Sequence, residues 1–441
     1  SVGTNGMVMQ TTGSGIQSVS TTSLNISSSI ANDSIEPDHL LSTGQVDEYC
    51  ISYEATGDTW EWYNCTAGSL FTDSGTITYL TTQTDTLSIG TSTNVSASTA
   101  LAVYNRDIEV LVGAGTTNGA AMYGVGTLTD DGSTELFGAY GLAVSGDYAY
   151  ATGYGDNGFQ IIDISDPTNP TALGSITDGA NGATVLLGAY DVAVQGNYAY
   201  VISDSDSGFQ VIDISDPTNP IGLGELNDDG TTELDGASGV AVQGNYAYVA
   251  SYGDSGVQII DISDPLNPRG VGSITDGANG ATELLGANDV VVQGNYAYVA
   301  SYADEGVQIL DISDPTNPVG LGEITDGASG ATELSGAARI EVSGSYAYVG
   351  SNIDNGFQIL DISDPDAPVG LGEITDGASG ATELEGAYDV AVAGNYAFVA
   401  GYADGGIQIL DISDPDAPIS AGSIVDDQRG AANLNGSFSI E

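Results

Sequence analysis

Three loops of almost one spelling hold the residues best suited to chemistry. DGANGATE runs from Asp276 to Glu283, and DGASGATE occurs twice, from Asp326 to Glu333 and from Asp376 to Glu383, with DDGTTE and DDGSTE as shorter variants. Carboxylates, an Asn or Ser, and backbone carbonyls held in place by glycine are hard oxygen donors of the kind Ca²⁺ takes. The spacing is not that of the EF-hand loop, and a second reading stands beside the first: a glycine-rich connection whose carboxylates cap backbone N–H groups. The motif D-I-S-D-P, with Asp311 and Asp314 as one instance, also offers paired acids. There the structural reading is stronger: one aspartate ends a strand, and the other, just before proline, organises the turn through nearby backbone N–H groups.

A further constellation needs a common axis. Short apolar runs in which Val192, Val242 and Val292 alternate with small or polar residues put Gly141, Asp191, Gly239, Asp289, Arg339, Asp389 and Ser439 in one equivalent position. If these runs are innermost strands of a ring, Asp191, Asp289 and Asp389 converge, with Glu341 and Glu441 two residues further along. Crowded like charges are costly unless something compensates. An ion pair centred on Arg339, with water, does so, and so does a bound cation, Ca²⁺ first.

Other chemistry finds little support. His39 is the single histidine and lies in EPDHLLS, outside any repeat. Glycosidase-type acid pairs are open among 60 acidic residues, yet no pair departs from the repeat pattern. Those acids face four arginines and no lysine, a net charge of -56. Phosphate binding needs basic residues, so nucleic acid is excluded as a partner. No apolar run reaches the length of a membrane span, so no membrane insertion is expected. Cys50 and Cys65 flank a strand-turn-strand pattern and suit a disulfide in an exported chain. Glycosylation sequons begin at Asn25, Asn32, Asn64, Asn94 and Asn435.

The elements that would position these groups come from a repeat. Units begin at Gly138, Gly188, Gly236, Gly286, Gly336 and Gly386. Each has four runs of strand character, in one unit DVVV, YAYVAS, VQILDI and VGLGEI, separated by QGN, YADEG and SDPTNP turns. Four antiparallel strands in such a period make a propeller blade, with Val290, Val292, Val299, Ile309 and Ile312 expected in the core. The C-terminal GSFSIE copies the start of a unit, while TALAVYNRDIEVLVG and MYGVGTLTDDGSTELFGA resemble the rest of one. The expectation is therefore an all-β, seven-bladed β-propeller closed by N- and C-terminal strands and preceded by a small β-rich N-terminal region.

GFQIIDISDPTNPTALGSI and its copies resemble the LVIVD repeat, a propeller repeat of bacterial and archaeal surface proteins, over about residues 98–441. The resemblance implies a propeller and an exported location, and brings no established catalytic residues. GMVMQTTGSGIQSVSTTSLNIS is similar to shaft segments of phage and bacterial surface fibres. The expected division is 1–40 as connector strands, 41–97 as a small disulfide-stapled β module and 98–441 as the propeller. In the connector, Met7, Val8, Met9, Ile16, Val19, Leu24 and Ile26 form clusters too short for a core of their own and suited to pairing with another copy. The leading expectation is a non-catalytic, extracellular or cell-surface structural protein, a fibre or filament subunit polymerising with itself. The alternative is an adhesin whose propeller face binds a glycan or protein ligand.

Overall fold

The computed structural model describes residues 7–12, 15–20, 49–54, 59–64, 99–104, 107–114, 121–425 and 437–440. It separates into two units, Ser1–Asn94 and Val95–Glu441. In the first, Met7–Thr12 pairs with Gly15–Ser20, placing Met7 opposite Ser20 and Val8 opposite Val19, and Tyr49–Glu54 pairs with Thr59–Asn64. The clusters expected to seek a neighbour's strand thus use one edge on each other. Cys50 stands opposite Tyr63, whereas Cys65, and with it the expected bridge, lies outside the described residues. So do His39, Leu24, Ile26, Asn25, Asn32, Asn94, Asn435 and Glu441. Asn64 ends its strand.

In the second unit, turn chemistry decides where the chain reverses. Ala287–Gln293, Tyr296–Ser301, Gly306–Asp311 and Val319–Thr325 pair in that order as one antiparallel sheet. Gln293 faces Tyr296 across a two-residue turn in which Gly294 has φ 66°. That conformation suits glycine and matches the twist of a hairpin. The same order recurs in six sheets, blades 1 to 6, covering 139–177, 189–227, 237–275, 287–325, 337–375 and 387–425. Neighbouring blades bury their faces against each other. Val257, Ile259 and Ile274 of blade 3 form one core cluster with Val290, Val299, Leu310 and Ile312 of blade 4. Ile309 is fully buried on the opposite face, in the cluster shared with blade 5, while Val292 is only partly covered.

One polar side chain locks each blade. Between Gln308 and Leu310 the ladder to the outermost strand shifts register, as at a β-bulge, where ladder bonds are lost. Gln308 Nε2 donates to the carbonyls of Ile309 (3.2 Å) and Gly322 (3.0 Å), and its Oε1 accepts from the N–H groups of Thr282 (2.9 Å) and Glu283 (3.2 Å). The buried amide therefore repairs the bulge and fastens the incoming loop. Gln160, Gln210, Gln258, Gln358 and Gln408 do the same.

The D-I-S-D-P segment joins blades. Asp311 Oδ1 accepts from Ser313 N (2.9 Å) and Asp314 Oδ1 from Thr316 N (3.0 Å). In the next copy, the Pro365 carbonyl accepts from Gly322 N of the preceding blade at 2.9 Å. A Cβ on Gly322 would lie 2.6 Å from Pro368 Cδ, so the junction requires glycine.

The expectation of seven blades is corrected to six. A further four-stranded sheet, ordered Ser437–Ile440, Thr99–Tyr104, Asp107–Ala114, Ala121–Thr129, is assembled from the two ends of the unit, but it is not a copy of the repeat. It has Glu109 where the repeat has its glutamine, and GTTNGA in place of the Asp-Pro turn. Its last two strands have 8 and 9 residues, against 6 and 7 in blade 4. Counting apolar runs at the chain ends overlooked the polar clasp that defines a blade.

Replacing Gln308 with Met keeps its volume but leaves two loop N–H groups and two carbonyls without this partner, at roughly 1–3 kcal/mol for a buried unsatisfied group. Gln308→Met is expected to destabilise the propeller by at least about 2 kcal/mol in urea unfolding. A loss within the error of the measurement would show that the clasp does not hold the blade together.

Candidate binding site

The innermost strands converge through their third residues. Arg339 Nη1 donates to Asp191 Oδ2 and Asp289 Oδ1, both at 3.1 Å. The cation between these two carboxylates is thus the arginine. Each aspartate also reaches the next innermost strand: Asp191 Oδ2 accepts from Val240 N (3.1 Å) and Asp289 Oδ2 from Ile340 N (2.9 Å). Asp389 Oδ2 holds the C-terminal strand through Ile440 N and Ser439 Oγ, both at 2.8 Å. Glycine at the alternate positions permits this approach, since a Cβ on Gly239 would lie 2.7 Å from the Asp289 Cα.

Burial pushes the Asp191 carboxyl up, opposed by Arg339. It pushes Asp389 up to about 6, opposed by Arg339, Ile440 N–H and the Ser439 hydroxyl. Burial also works against the Arg339 charge, but Asp191 and Asp289 more than offset it and its pKa rises. Its Nε has no hydrogen-bond partner among the described residues.

Above this charged layer lie tyrosines. Tyr140, Tyr190 and Tyr388 share hydroxyl contacts, with Tyr140 Oη 2.7 Å from Tyr388 Oη. Burial raises the Tyr140 and Tyr190 pKa values beyond any physiological range, so these hydroxyls stay protonated. The Tyr140 and Tyr190 ring centroids are 3.9 Å apart. An open cavity of about 490 Å³ extends outward, lined by Tyr140, Tyr154, Tyr190 and Tyr252 together with Asp204 and Asn288. The Tyr154 hydroxyl donates to Asp204 Oδ2 at 3.3 Å, and its ring stands edge-on to Tyr190. Exposed Phe137, Leu187, Leu285, Ile353 and Tyr402 sit in the loops and turns of this same end of the blades.

The acidic loops also open on this face. Asp276, Asp326 and Asp376 each accept at Oδ1 from the N–H of a leucine eight residues on, Leu284, Leu334 and Leu384, at 3.3 Å. Burial, with Asp304 and Glu323 next, pushes Glu283 up to about 7. Burial, with Asp354 and Glu373, brings Glu333 to about 7, and Glu383 is raised by burial against a bond from Thr382. Glu333 Oε2 is buried without a hydrogen-bond partner among the described residues. Among the described residues no three acidic, His or Cys side chains gather as a metal site.

Six segments match the LVIVD repeat: residues 138–178, 188–228, 236–276, 286–326, 336–376 and 386–426. The chain belongs to the LVIVD-repeat family. Those six matches are blades 1 to 6, and the sheet built from the chain ends has none, which sets the blade count at six. No curated protein matches the LVIVD chain in sequence. Solved structures share its fold. A protein from Lactobacillus plantarum has TM-score 0.62 at 15% identity, covering 78% of this chain and 98% of that one. The periplasmic gluconolactonase of Pseudomonas aeruginosa has TM-score 0.60 at 10% identity with the same coverage. A functionally unknown protein from Desulfotomaculum acetoxidans has TM-score 0.57 at 15% identity, covering 78% and 98%. At such identities the likeness concerns the fold alone.

The expected axial column of the LVIVD propeller is where its aspartates and arginine meet, whereas the tyrosines were not marked by residue type. Their signal is variation within a uniform repeat. The second residue of the innermost strand reads Tyr140, Tyr190, Ser238, Asn288, Ala338 and Tyr388, and the turn after the second strand begins with Tyr154, Asp204, Tyr252, Tyr302, Asn352 and Tyr402.

The raised carboxylates set a pH dependence. Their folded pKa values exceed the unfolded ones, so they destabilise the fold when ionised, and this cost shrinks as pH falls below about 7 and 6 and is gone only below the ordinary carboxylate range. Turn aspartates such as Asp314, lowered by bonds from Thr316, lose stability only at more acidic pH. The melting temperature is expected to be several degrees higher at pH 5 than at pH 8 at fixed ionic strength, with Glu333→Gln raising it at pH 8. A lower melting temperature at pH 5 would contradict the assignment.

Proposed function

We propose that the protein is a non-catalytic, extracellular binding protein whose tyrosine-lined propeller face captures a ligand, such as a glycan or a protein surface. The observation that carries this reading is the open axial cavity lined by Tyr154, Tyr190, Tyr252 and Asp204. Aromatic rings with a few polar groups in a concave site are the usual composition of a ligand pocket. The non-catalytic part rests on the neighbouring groups. Arg339 is buried and clamped by two aspartates, and the Tyr140 and Tyr190 hydroxyls titrate too high to exchange protons at neutral pH. An exported location agrees with the net charge of -56 and the absence of lysine. Ca²⁺ bound through the face carboxylates would be an accessory to this role.

The test is binding of the full chain to an array of glycans, compared with Tyr154→Ala/Tyr252→Ala. Both rings are substantially exposed, at 39% and 46%, so their loss should leave the fold intact. At least a tenfold loss of the strongest interaction is expected. Undiminished binding by the double variant would move the ligand site elsewhere.

Assembly into a fibre through residues 1–40 is a second reading, favoured by the hairpin of Met7–Thr12 and Gly15–Ser20. It is a two-stranded sheet whose outer edges suit strand addition. Sedimentation of the full chain and of one lacking residues 1–40 separates the cases: only the full chain should form larger species, and identical profiles would exclude the fibre.

A further inference from the structure

We propose that the axial cavity is a site for a small organic cation, an alkylated ammonium ion held against the faces of Tyr154, Tyr190 and Tyr252 and beside the Asp204 carboxylate. The inference deepens the binding reading above and rests on it.

The sources of potential at the cavity are predominantly negative. Aromatic faces are the negative part of the ring quadrupole and attract ammonium groups within about 6 Å of the centroid, more strongly when water is excluded. Tyr154 and Tyr190 meet edge to face at 6.3 Å, so their planes form two walls of a corner, and Tyr252 adds another lining ring. Asp204, itself half-buried, lines the same space and is oriented by the Tyr154 hydroxyl. Beneath the floor, Asp191, Asp289 and Asp389 outnumber the single Arg339. Asp206, Asp235 and Asp254 stand in the surrounding turns, where Asp206 and Asp254 accept backbone N–H groups of Leu187 and Asp235.

Among the described residues no free positive group lines the space. Among the described residues the basic side chains are Arg269 and Arg339. Arg269 is paired with Asp261 at the outermost strand of blade 3, and Arg339 is clamped and buried. The chain's charge of -56 concentrates any cation near its surface, which alone gives no selectivity. The aromatic lining supplies it. Hydrated Na⁺ or Ca²⁺ gains little from ring faces, whereas an alkylammonium ion gives up little hydration and fills apolar volume. The neutral polyhydroxyl alternative would leave this carboxylate-biased potential unused.

The experiment is calorimetric titration of the full chain with choline chloride and with 3,3-dimethylbutan-1-ol, which has the same shape with carbon in place of the charged nitrogen, at one ionic strength. Choline is expected to bind saturably and at least tenfold more tightly than the alcohol. Asp204→Asn and Tyr252→Ala should each weaken choline at least fivefold with unchanged melting temperatures. Because Asp204→Asn alters the total charge only from -56 to -55, such a loss reports a local contact. Equal affinity for the two probes, or choline binding indifferent to both substitutions, overturns the proposal. If choline fails to bind while a glycan binds in a manner dependent on Tyr154 and Tyr252, the cation site falls and the binding face stands. If neither ligand depends on those tyrosines, both fall.

Discussion

A buried amide in the third strand of every blade is the interaction on which the rest of this propeller depends. The outermost strand must bend away from the sheet to meet the next blade's Asp-Pro turn, and the register shift opposite Gln308 and its copies accomplishes that bend. Bending breaks ladder bonds in a place no water reaches, where an unpaired peptide group is expensive. Glutamine can answer this because it carries two donors and an acceptor on one planar group. Its donors take the two orphaned carbonyls, and its acceptor fixes the loop entering the same blade. Gly322 and its equivalents then let the neighbouring proline turn come close enough to bond.

Since the clasp and the glycine–proline junction hold each blade to the next, the residues at the axis are relieved of most structural duty and are free to differ. They do differ: glycine and aspartate alternate at one level, and tyrosine, serine, asparagine and alanine occupy the level above. The aspartates still contribute, each bonding an N–H of the following innermost strand, and Arg339 neutralises part of their charge. A buried arrangement of this kind is weak evidence for stability in itself, because desolvation opposes the attraction. Its clearer consequence is electrostatic, a floor of net negative charge beneath an aromatic cavity.

The carboxylates of the outer loops illustrate how much residue type leaves open. Asp276, Asp326 and Asp376 have the residue type of both ligands and caps, and in the folded chain each accepts a loop N–H. Glu283 and Glu333 look equally hydrated, but the loop tucks them against the second-to-third turn, where burial and neighbouring acids raise them to about 7. Apolar matching at the chain ends misled the blade count. Thr99–Tyr104 and Ser437–Ile440 do pair, but without the glutamine and the Asp-Pro turn their sheet is not a repeat blade, and six blades carry the family pattern.

The amino-acid sequence by itself determined the strands, their turns and the repeat. These depend on local properties: period-two apolar alternation, left-handed glycine at Gly294, and aspartates that bond N–H groups two residues away. It also placed Asp191, Asp289, Arg339 and Asp389 in one column, because identical units superpose by register. The tertiary structure alone decided that Arg339 lies between two of the aspartates, that Gln308 spans a bulge, and that Tyr154, Tyr190 and Tyr252 enclose a cavity with Asp204. Those contacts join residues from different blades or from opposite ends of one blade, at distances set by how twisted sheets pack, and no local rule of sequence encodes that packing.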